Sequence, residues 1–120
     1  MLRFNAYDIP DSVGVDTYIY NTANGTSSTA GSVNVKGLDR LDEMLKVTSL
    51  AGGTITASIE FGIGSNTVWY GSVTVNFVGT NTTEYVSITE HPDRVRIGWK
   101  KSALGTATVT NISAYKGNVK

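Results

Sequence analysis

The chain has 120 residues, no cysteine, one histidine and a formal net charge of zero. This length suits one domain with one core, and the lack of cysteine excludes a disulfide scaffold or a thiolate metal site. Zero net charge argues against nucleic-acid binding, which needs a basic surface. No apolar run is long enough to cross a membrane. The N-terminus has no signal peptide, so we expect synthesis in a cytoplasm without secretion.

Residues 1–15 predict an extended arm, because Pro10 and Gly14 interrupt any regular element. Residues 16–120 are then a single β-sandwich domain. An exposed apolar patch usually marks an interface, so the large apolar side chains of the arm are candidate partner-binding residues. Two alternatives stay open, since the arm could cover its own sheet edge or dock on a neighbouring subunit. The four side chains are Leu2, Phe4, Tyr7 and Ile9.

The next third of the chain predicts short strands at 16–20, 32–36 and 45–50. Between the first two, residues 21–31 form a polar loop in which Asn24-Gly25 is a turn signal. Residues 37–44 carry leucines at helical spacing, but a segment this short is not stable as an isolated helix. We therefore expect one helical turn or an irregular corner there. Gly52-Gly53 predicts a hairpin that joins 45–50 to the next strand.

From Thr54 onwards, apolar and polar residues alternate with the period of two that a half-buried strand requires. Strands are expected at 54–61, 68–77, 84–90, 94–100 and 106–115, with bulges near Gly71 and Asn111. About eight short strands in all predict an all-β fold, an antiparallel two-sheet β-sandwich that is jelly-roll-like. Its predicted core contains Ile55, Ile59, Phe61, Val73, Val75, Val86, Ile88, Val95, Ile97 and Trp99.

Residues 45–115 resemble the galactose-binding-like jelly rolls of carbohydrate-binding modules and of many phage virion proteins. The resemblance lies in the strand 53–61, in Trp69-Tyr70-Gly71 with the strand that follows, in 93–99, and in the closing strand 108–115. It implies a β-sandwich with a binding or structural role. Such domains often carry a structural calcium ion, so the resemblance also implies a candidate calcium site.

Five sets of residues are candidates for chemistry or binding. Asp39, Asp42 and Glu43 are weak calcium candidates, since calcium prefers oxygen ligands. Trp69 and Tyr70 could form a platform for a sugar ring. Arg94, Arg96 and Lys100 form a basic strip that could contact a partner, although pairing with Glu84 or Glu90 is the simpler expectation. His91 is expected to be an exposed turn residue, and Glu60, Glu84 and Glu90 solvated strand charges, which leaves no catalytic set.

These observations favour a non-enzymatic phage virion protein without a cofactor. A small, neutral, cysteine-free sandwich suits a capsid decoration or stabilising protein, or a tail or fibre module. It would act through contacts with copies of itself, as in a trimer, and with a major capsid or other virion protein. The alternative is a carbohydrate-binding module that holds a glycan on exposed aromatic side chains.

Overall fold

A computed structural model describes residues 2–9, 15–22, 25–27, 32–64, 68–80 and 82–117. This part of the chain contains strands but no helix, and so no helix that is long and apolar enough to cross a membrane. The strands are β1 (Leu2–Ile9), β2 (Ile19–Thr22), β3 (Gly25–Ser27), β4 (Val33–Asn34), β5 (Leu38–Leu50), β6 (Ile55–Ile63), β7 (Val68–Phe77), β8 (Thr82–Ile88), β9 (Arg94–Lys101) and β10 (Ala107–Gly117).

The strands form two antiparallel sheets, as predicted. The four-stranded sheet has the order β1-β10-β5-β8. The six-stranded sheet has the order β3-β2-β9-β6-β7, and the short β4 also pairs with β9. Eight of the ten strands have four or more residues, which agrees with the expected number.

The strand pairs are nested, and this identifies the jelly roll. β1 pairs with β10, β2 with β9, β5 with β8, and β6 with β7, as in one long hairpin that is folded back on itself. Two further pairs, β5 with β10 and β6 with β9, then place these four strands at the centres of the two sheets. This wrapping of a ribbon into a double sheet is the jelly-roll topology, which confirms the predicted fold class.

The core lies between the two sheets and has the predicted composition. Of the expected core residues, Val73, Val75 and Val86 are partly buried and the rest are buried. The ring of Trp99 packs against that of Phe77 at a centroid distance of 6.4 Å. Each large apolar side chain removed from water contributes roughly 1.5–3 kcal/mol, so this layer supplies much of the stability.

The predicted corner at 37–44 is wrong, because residues 38–44 belong to the long strand β5. Leu41, Leu45 and Val47 all point inward with a period of two. Leu41 and Leu45 are four residues apart, a spacing that fits both a helix and a strand. The inward position between them is Glu43, and this buried carboxyl hides the alternation in the sequence.

The hairpin predicted at Gly52-Gly53 is also wrong. β5 lies in the four-stranded sheet and β6 in the six-stranded sheet, so residues 51–54 cross between the sheets. The expected turns at 91–93 and 103–105 cross between the sheets in the same way. Alternation reports which side of a strand is buried, and it carries no information about the sheet in which the next strand lies.

The N-terminal segment was expected to precede the regular sheet, and this expectation needs correction. Leu2–Ile9 forms β1, an edge strand of the four-stranded sheet, with Leu2 opposite Ala114 and Ile9 opposite Ala107. The backbone of this segment therefore covers an edge of its own domain. Whether Leu2, Phe4, Tyr7 and Ile9 contact a partner stays a prediction, as does the separate standing of residues 1–15.

The two expected bulges have different outcomes. One lies at Tyr70, next to Gly71, where Phe61 pairs with Gly71 and Gly62 with Trp69. None lies at Asn111, because β10 shifts its register on β5 between Thr108 and Val109 instead. Asn111 and Ser113 simply continue the inward face, and polar residues at inward positions gave the false sign of a parity switch.

A substitution on the inward face of β9 tests the arrangement of the core. Val95 is buried beneath the sheet, so Val95→Asp places an unpaired carboxylate there and should abolish cooperative unfolding. Val95→Ala should keep the fold and lower the free energy of unfolding by about 2 kcal/mol. Urea titrations followed by circular dichroism measure both.

The control for that substitution is Ser49→Asp on β5, at an exposed strand position. It should change the free energy of unfolding by less than about 0.5 kcal/mol. A cooperatively folded Val95→Asp variant would contradict the inward orientation of Val95.

Candidate functional site

The outer face of the six-stranded sheet carries a ladder of aromatic rings and cations. The Arg96 guanidinium carbon lies 4.3 Å from the ring centroid of Tyr20 and 4.2 Å from that of Trp69. Tyr20 stacks on Tyr18 at a centroid distance of 6.4 Å, and the Lys100 ammonium lies 5.0 Å from the Tyr18 ring centre. We call this series Trp69, Arg96, Tyr20, Tyr18 and Lys100 the cation–aromatic ladder.

Glu60 on β6 completes the ladder. It lies opposite Arg96 in the register of β6 and β9, and its carboxylate accepts a hydrogen bond from Arg96 Nε. Both side chains are largely covered, at 14% and 17% exposed. Burial is the main cause that raises the pKa of the Tyr20 hydroxyl, and the nearby Glu60 carboxylate raises it further. The rings thus shelter the ion pair of Arg96 and Glu60 from solvent. Its attraction is therefore screened less than that of an exposed pair.

Two glycines allow the rings to approach the sheet. A Cβ atom at Gly98 would lie 2.9 Å from Tyr20 Cε1 and 3.1 Å from Tyr18 Cδ1. A Cβ atom at Gly62 would lie 2.9 Å from Trp69 Cζ3. These distances are shorter than carbon–carbon contact allows, so the ladder depends on the absence of a side chain at both positions.

The interior between the sheets contains a chain of polar side chains. Trp99 Nε1 donates to Asn21 Oδ1 at 2.8 Å, and Asn21 Nδ2 donates to Asn111 Oδ1 at 3.1 Å. Asn111 Nδ2 then donates to Glu43 Oε1 at 3.1 Å, and Ser113 Oγ donates to the same oxygen at 2.6 Å. The chain starts in the six-stranded sheet and ends in the four-stranded sheet, so it links the two layers. We call it the interior polar chain.

Glu43 is the ionisable end of the interior polar chain. Its side chain is 2% exposed, and burial raises its pKa to about 7, although the hydrogen bonds from Ser113 and Asn111 oppose this rise. A buried carboxylate costs free energy even when it accepts hydrogen bonds, because those bonds replace only part of its hydration. Below neutral pH the folded protein therefore holds a proton on Glu43.

One side of the sandwich is open. β7 and β8 are edge strands of the two sheets, and in the described residues β7 pairs only with β6 and β8 only with β5. Residues 78–81 join them, so the two edges lie on the same side. On the opposite side the edges β1 and β3 lie against each other. We call the surface formed by β7, Val78 and β8 the open side.

Exposed apolar side chains concentrate on the open side. Val78 is 80% exposed and Tyr85 75% exposed, and Val68 and Tyr70 on β7 are also exposed. Ile63, at the end of β6, is opposite Val68 and adds to this group. Among the described residues, the other large exposed apolar side chains are Val15 and Leu104. Ile63, Val68 and Tyr70 form one group at the start of β7, whereas Val78 follows the other end of the strand. A group of exposed apolar side chains usually marks an interaction site.

The sequence of β7 lacks the charged residues and proline that normally protect an edge strand. Its ten residues, VWYGSVTVNF, include no charged residue and no proline. Natural edge strands usually carry lysine, proline or a bulge, because their free N–H and C=O groups can pair with another chain. The bulge at Tyr70 affects one end, and from Gly71 to Phe77 the strand is regular.

A groove of about 380 Å³ lies next to the open side, on the four-stranded sheet. Met44, Tyr85, Ile112 and Ala114 give it an apolar part, and Asp42 with Arg40 a charged part. Asp42 pairs with Arg40 at 3.1 Å and accepts a hydrogen bond from Ser87 Oγ at 2.7 Å. Because Tyr85 lies on β8, this groove extends the apolar surface of the open side.

The two residues of the predicted sugar platform lie on different surfaces. Trp69 lies over Gly62 in the cation–aromatic ladder, whereas the Tyr70 ring packs near Phe61, at a centroid distance of 6.2 Å. Phe61 is an inward residue of β6. The two neighbouring aromatic side chains thus belong to different surfaces.

The basic strip lies on one face as predicted, but its partners differ from those expected. Arg96 pairs with Glu60 rather than with Glu84 or Glu90. Arg94 donates from Nε to Ser32 Oγ at 2.9 Å, and Lys100 lies over Tyr18. Each of the three cations is therefore already engaged within the domain, and Glu60 is not a solvated strand charge.

The acidic residues proposed for calcium do not converge. Asp42 and Glu43 are consecutive in β5, so Asp42 points outward and Glu43 into the core, and Asp39 is exposed. Within the described residues no three His, Asp or Glu side chains come together in a way that could hold a metal ion. His91 lies in the link between β8 and β9, as predicted, with Nδ1 3.3 Å from the Leu38 carbonyl oxygen.

The interior polar chain is not predicted from the sequence. The patterns predict a loop at Asn21, an irregular corner at Glu43 and a bulge at Asn111, so they do not bring the three residues together. Their shared signal was a polar residue at a position where strand alternation calls for an apolar one. Tyr18 and Tyr20 alternate in the predicted strand 16–20 and so share one face, but their link to Arg96 depends on strand order.

No family model, curated protein or solved structure matches this chain. The resemblance to galactose-binding-like modules therefore stays a prediction, and function is argued from the geometry of the surfaces.

Removal of the space above a glycine tests the cation–aromatic ladder. Gly98→Ala should displace Tyr20 and Tyr18 and lower the free energy of unfolding by about 1–2 kcal/mol, through overpacking and the loss of cation–π contacts. Urea titration measures this change. Gly79→Ala is the matched control, since a Cβ atom there would meet nothing within 4 Å. Equal stability of both variants would contradict the role of Gly98.

Stability should depend on pH through Glu43. The pKa of about 7 in the folded protein lies above the ordinary value of 4.5, so the stabilising proton is fully present below pH 4.5 and is lost as the pH rises to 7. We expect the free energy of unfolding to fall by about 3 kcal/mol over this range. Glu43→Gln should remove most of that slope, as measured by urea titration at several pH values.

Glu84→Gln is the control for the pH experiment, because Glu84 is an exposed carboxyl on β8. It should leave the pH profile of stability close to that of the original chain. Parallel profiles for the original chain and Glu43→Gln would contradict the assignment of the pH dependence to Glu43.

Proposed function

We propose that this chain is a non-enzymatic structural protein of a phage virion, such as a capsid decoration or stabilising protein, or a tail or fibre module, that acts through protein–protein contacts. The observation that carries the proposal is the open side. It joins an edge strand without charge to a group of exposed apolar side chains, and both features suit contact with another protein.

Two features of the domain support this role. The cations of the basic strip are engaged within the domain, so the outer face of the six-stranded sheet offers little free charge for an anionic ligand. The interior polar chain ties the two sheets together and is enclosed by them. A domain that presents one interaction surface in this way suits a protein that adds to a lattice in many copies.

The carbohydrate-binding alternative receives less support. A sugar platform needs the flat faces of aromatic rings to be free. Tyr20 has Arg96 and Tyr18 as ring neighbours, and Trp69 has Arg96 against one of its faces. Tyr70 belongs to another surface than Trp69.

The experiment is a search for the chain in purified particles. Particles produced from the genome that encodes it should contain the chain in many copies, as measured by mass spectrometry against the major capsid protein. Particles made without the gene should lose infectivity or disassemble at a lower temperature, and added purified protein should restore them. Absence of the chain from particles would contradict the proposal.

Binding to a glycan array tests the alternative. Specific retention of one sugar, lost in a folded Trp69→Ala variant, would favour the carbohydrate-binding module over the virion protein. We expect no specific retention of any glycan.

A further inference from the structure

We infer that β7 pairs with β7 of a second copy of this chain, in an antiparallel arrangement about a two-fold axis. This inference rests on the proposed function, because it names one partner for the open side. The two six-stranded sheets would join edge to edge and form one continuous sheet across the pair.

The charge of β7 favours a second copy as its partner. In an antiparallel pair about a two-fold axis, a charge near the centre of the strand lies close to its own copy and is repelled by it. The sequence VWYGSVTVNF avoids this, because it contains no charged side chain. The chain as a whole is also neutral, so two copies approach without long-range repulsion.

The regular part of β7 is centred on Thr74. A two-fold axis at this residue places Thr74 opposite its own counterpart, Val73 opposite Val75, and Ser72 opposite Asn76 of the other copy. This register keeps inward residues beside inward residues, as a continuous sheet requires. It also places the bulge at Tyr70 at the ends of the paired region rather than at its centre.

The inward side chains of β7 are less buried than those of the neighbouring strand β6. Val73 and Val75 face inward but are only partly buried, whereas their partners on β6, Ile59 and Ala57, are fully buried. Paired copies would cover these valines with each other. The pair is therefore isologous, with the same surface used by both copies, and it closes without leaving β7 free for further addition.

A charge at the two-fold axis tests the inference. The original chain should sediment with twice the 12.8 kDa mass of one copy. Thr74→Lys places two lysines directly opposite each other and should give a monomer that still unfolds cooperatively, because Thr74 is on the exposed face of the strand. Thr74→Glu should also be a monomer. An equimolar mixture of the two variants should restore the dimer.

The matched control is Ser87→Lys on β8, the other edge of the open side, where Ser87 is exposed. It adds the same charge and should remain a dimer. The inference fails if the original chain is a monomer over a wide concentration range, if Thr74→Lys remains a dimer, or if Ser87→Lys alone dissociates it.

The outcomes separate this inference from the proposed function. A monomeric chain that is nevertheless found in purified particles would overturn the β7 pair and leave the virion role standing. A dimer that Thr74→Lys dissociates, in a chain absent from particles, would support the pair and overturn the virion role.

Discussion

Two strand pairings, β5 with β10 and β6 with β9, hold the whole architecture together. Each joins residues that are far apart in the chain, as with Leu45 opposite Asn111 and Ala57 opposite Trp99. Before these pairs form, the chain is at most a long ribbon with one apolar face. Once they form, the two inner faces meet and the core is enclosed. The loop-closure entropy for such distant pairs must be overcome before they stabilise anything, which makes slow folding an intrinsic property of this topology.

The interior polar chain depends on both central pairings. Asn111 reaches Glu43 because β10 lies beside β5, and Trp99 reaches Asn21 because β9 lies beside β2. Each of these polar groups would be costly to bury alone. Together they satisfy one another, and they fix the relative position of the two sheets more specifically than apolar packing does.

Much of the fold was predictable from residue alternation, and the failures have two physical causes. The inward set Val95, Ile97 and Trp99 was clear because each inward position is apolar. At Glu43, Asn111 and Ser113 the inward residue is polar, and there the sequence suggested a corner or a bulge. Strand order was beyond reach, since alternation defines faces and not neighbours. The ladder and the open side both follow from strand order, so neither could be assembled from the sequence.

The outer face and the β7 edge of the six-stranded sheet differ in how many of their groups are already in contact. On its outer face, rings and cations engage each other and leave few groups free. At the β7 edge, the backbone groups that face away from β6 have no strand partner among the described residues, and apolar side chains are exposed. The difference arises from position in the sheet, because a central strand has neighbours on both sides that can complete its contacts and an edge strand does not.

The chain has two tryptophans, and the structure gives each one a separate environment to report. The indole N–H of Trp99 lies at the start of the interior polar chain, so its proton resonance senses the charge on Glu43 at the other end. Trp69 lies against Arg96 on the outer face, where its fluorescence responds when the ring moves away from that cation. Spectroscopy on the unmodified chain can therefore follow the interior and the surface independently.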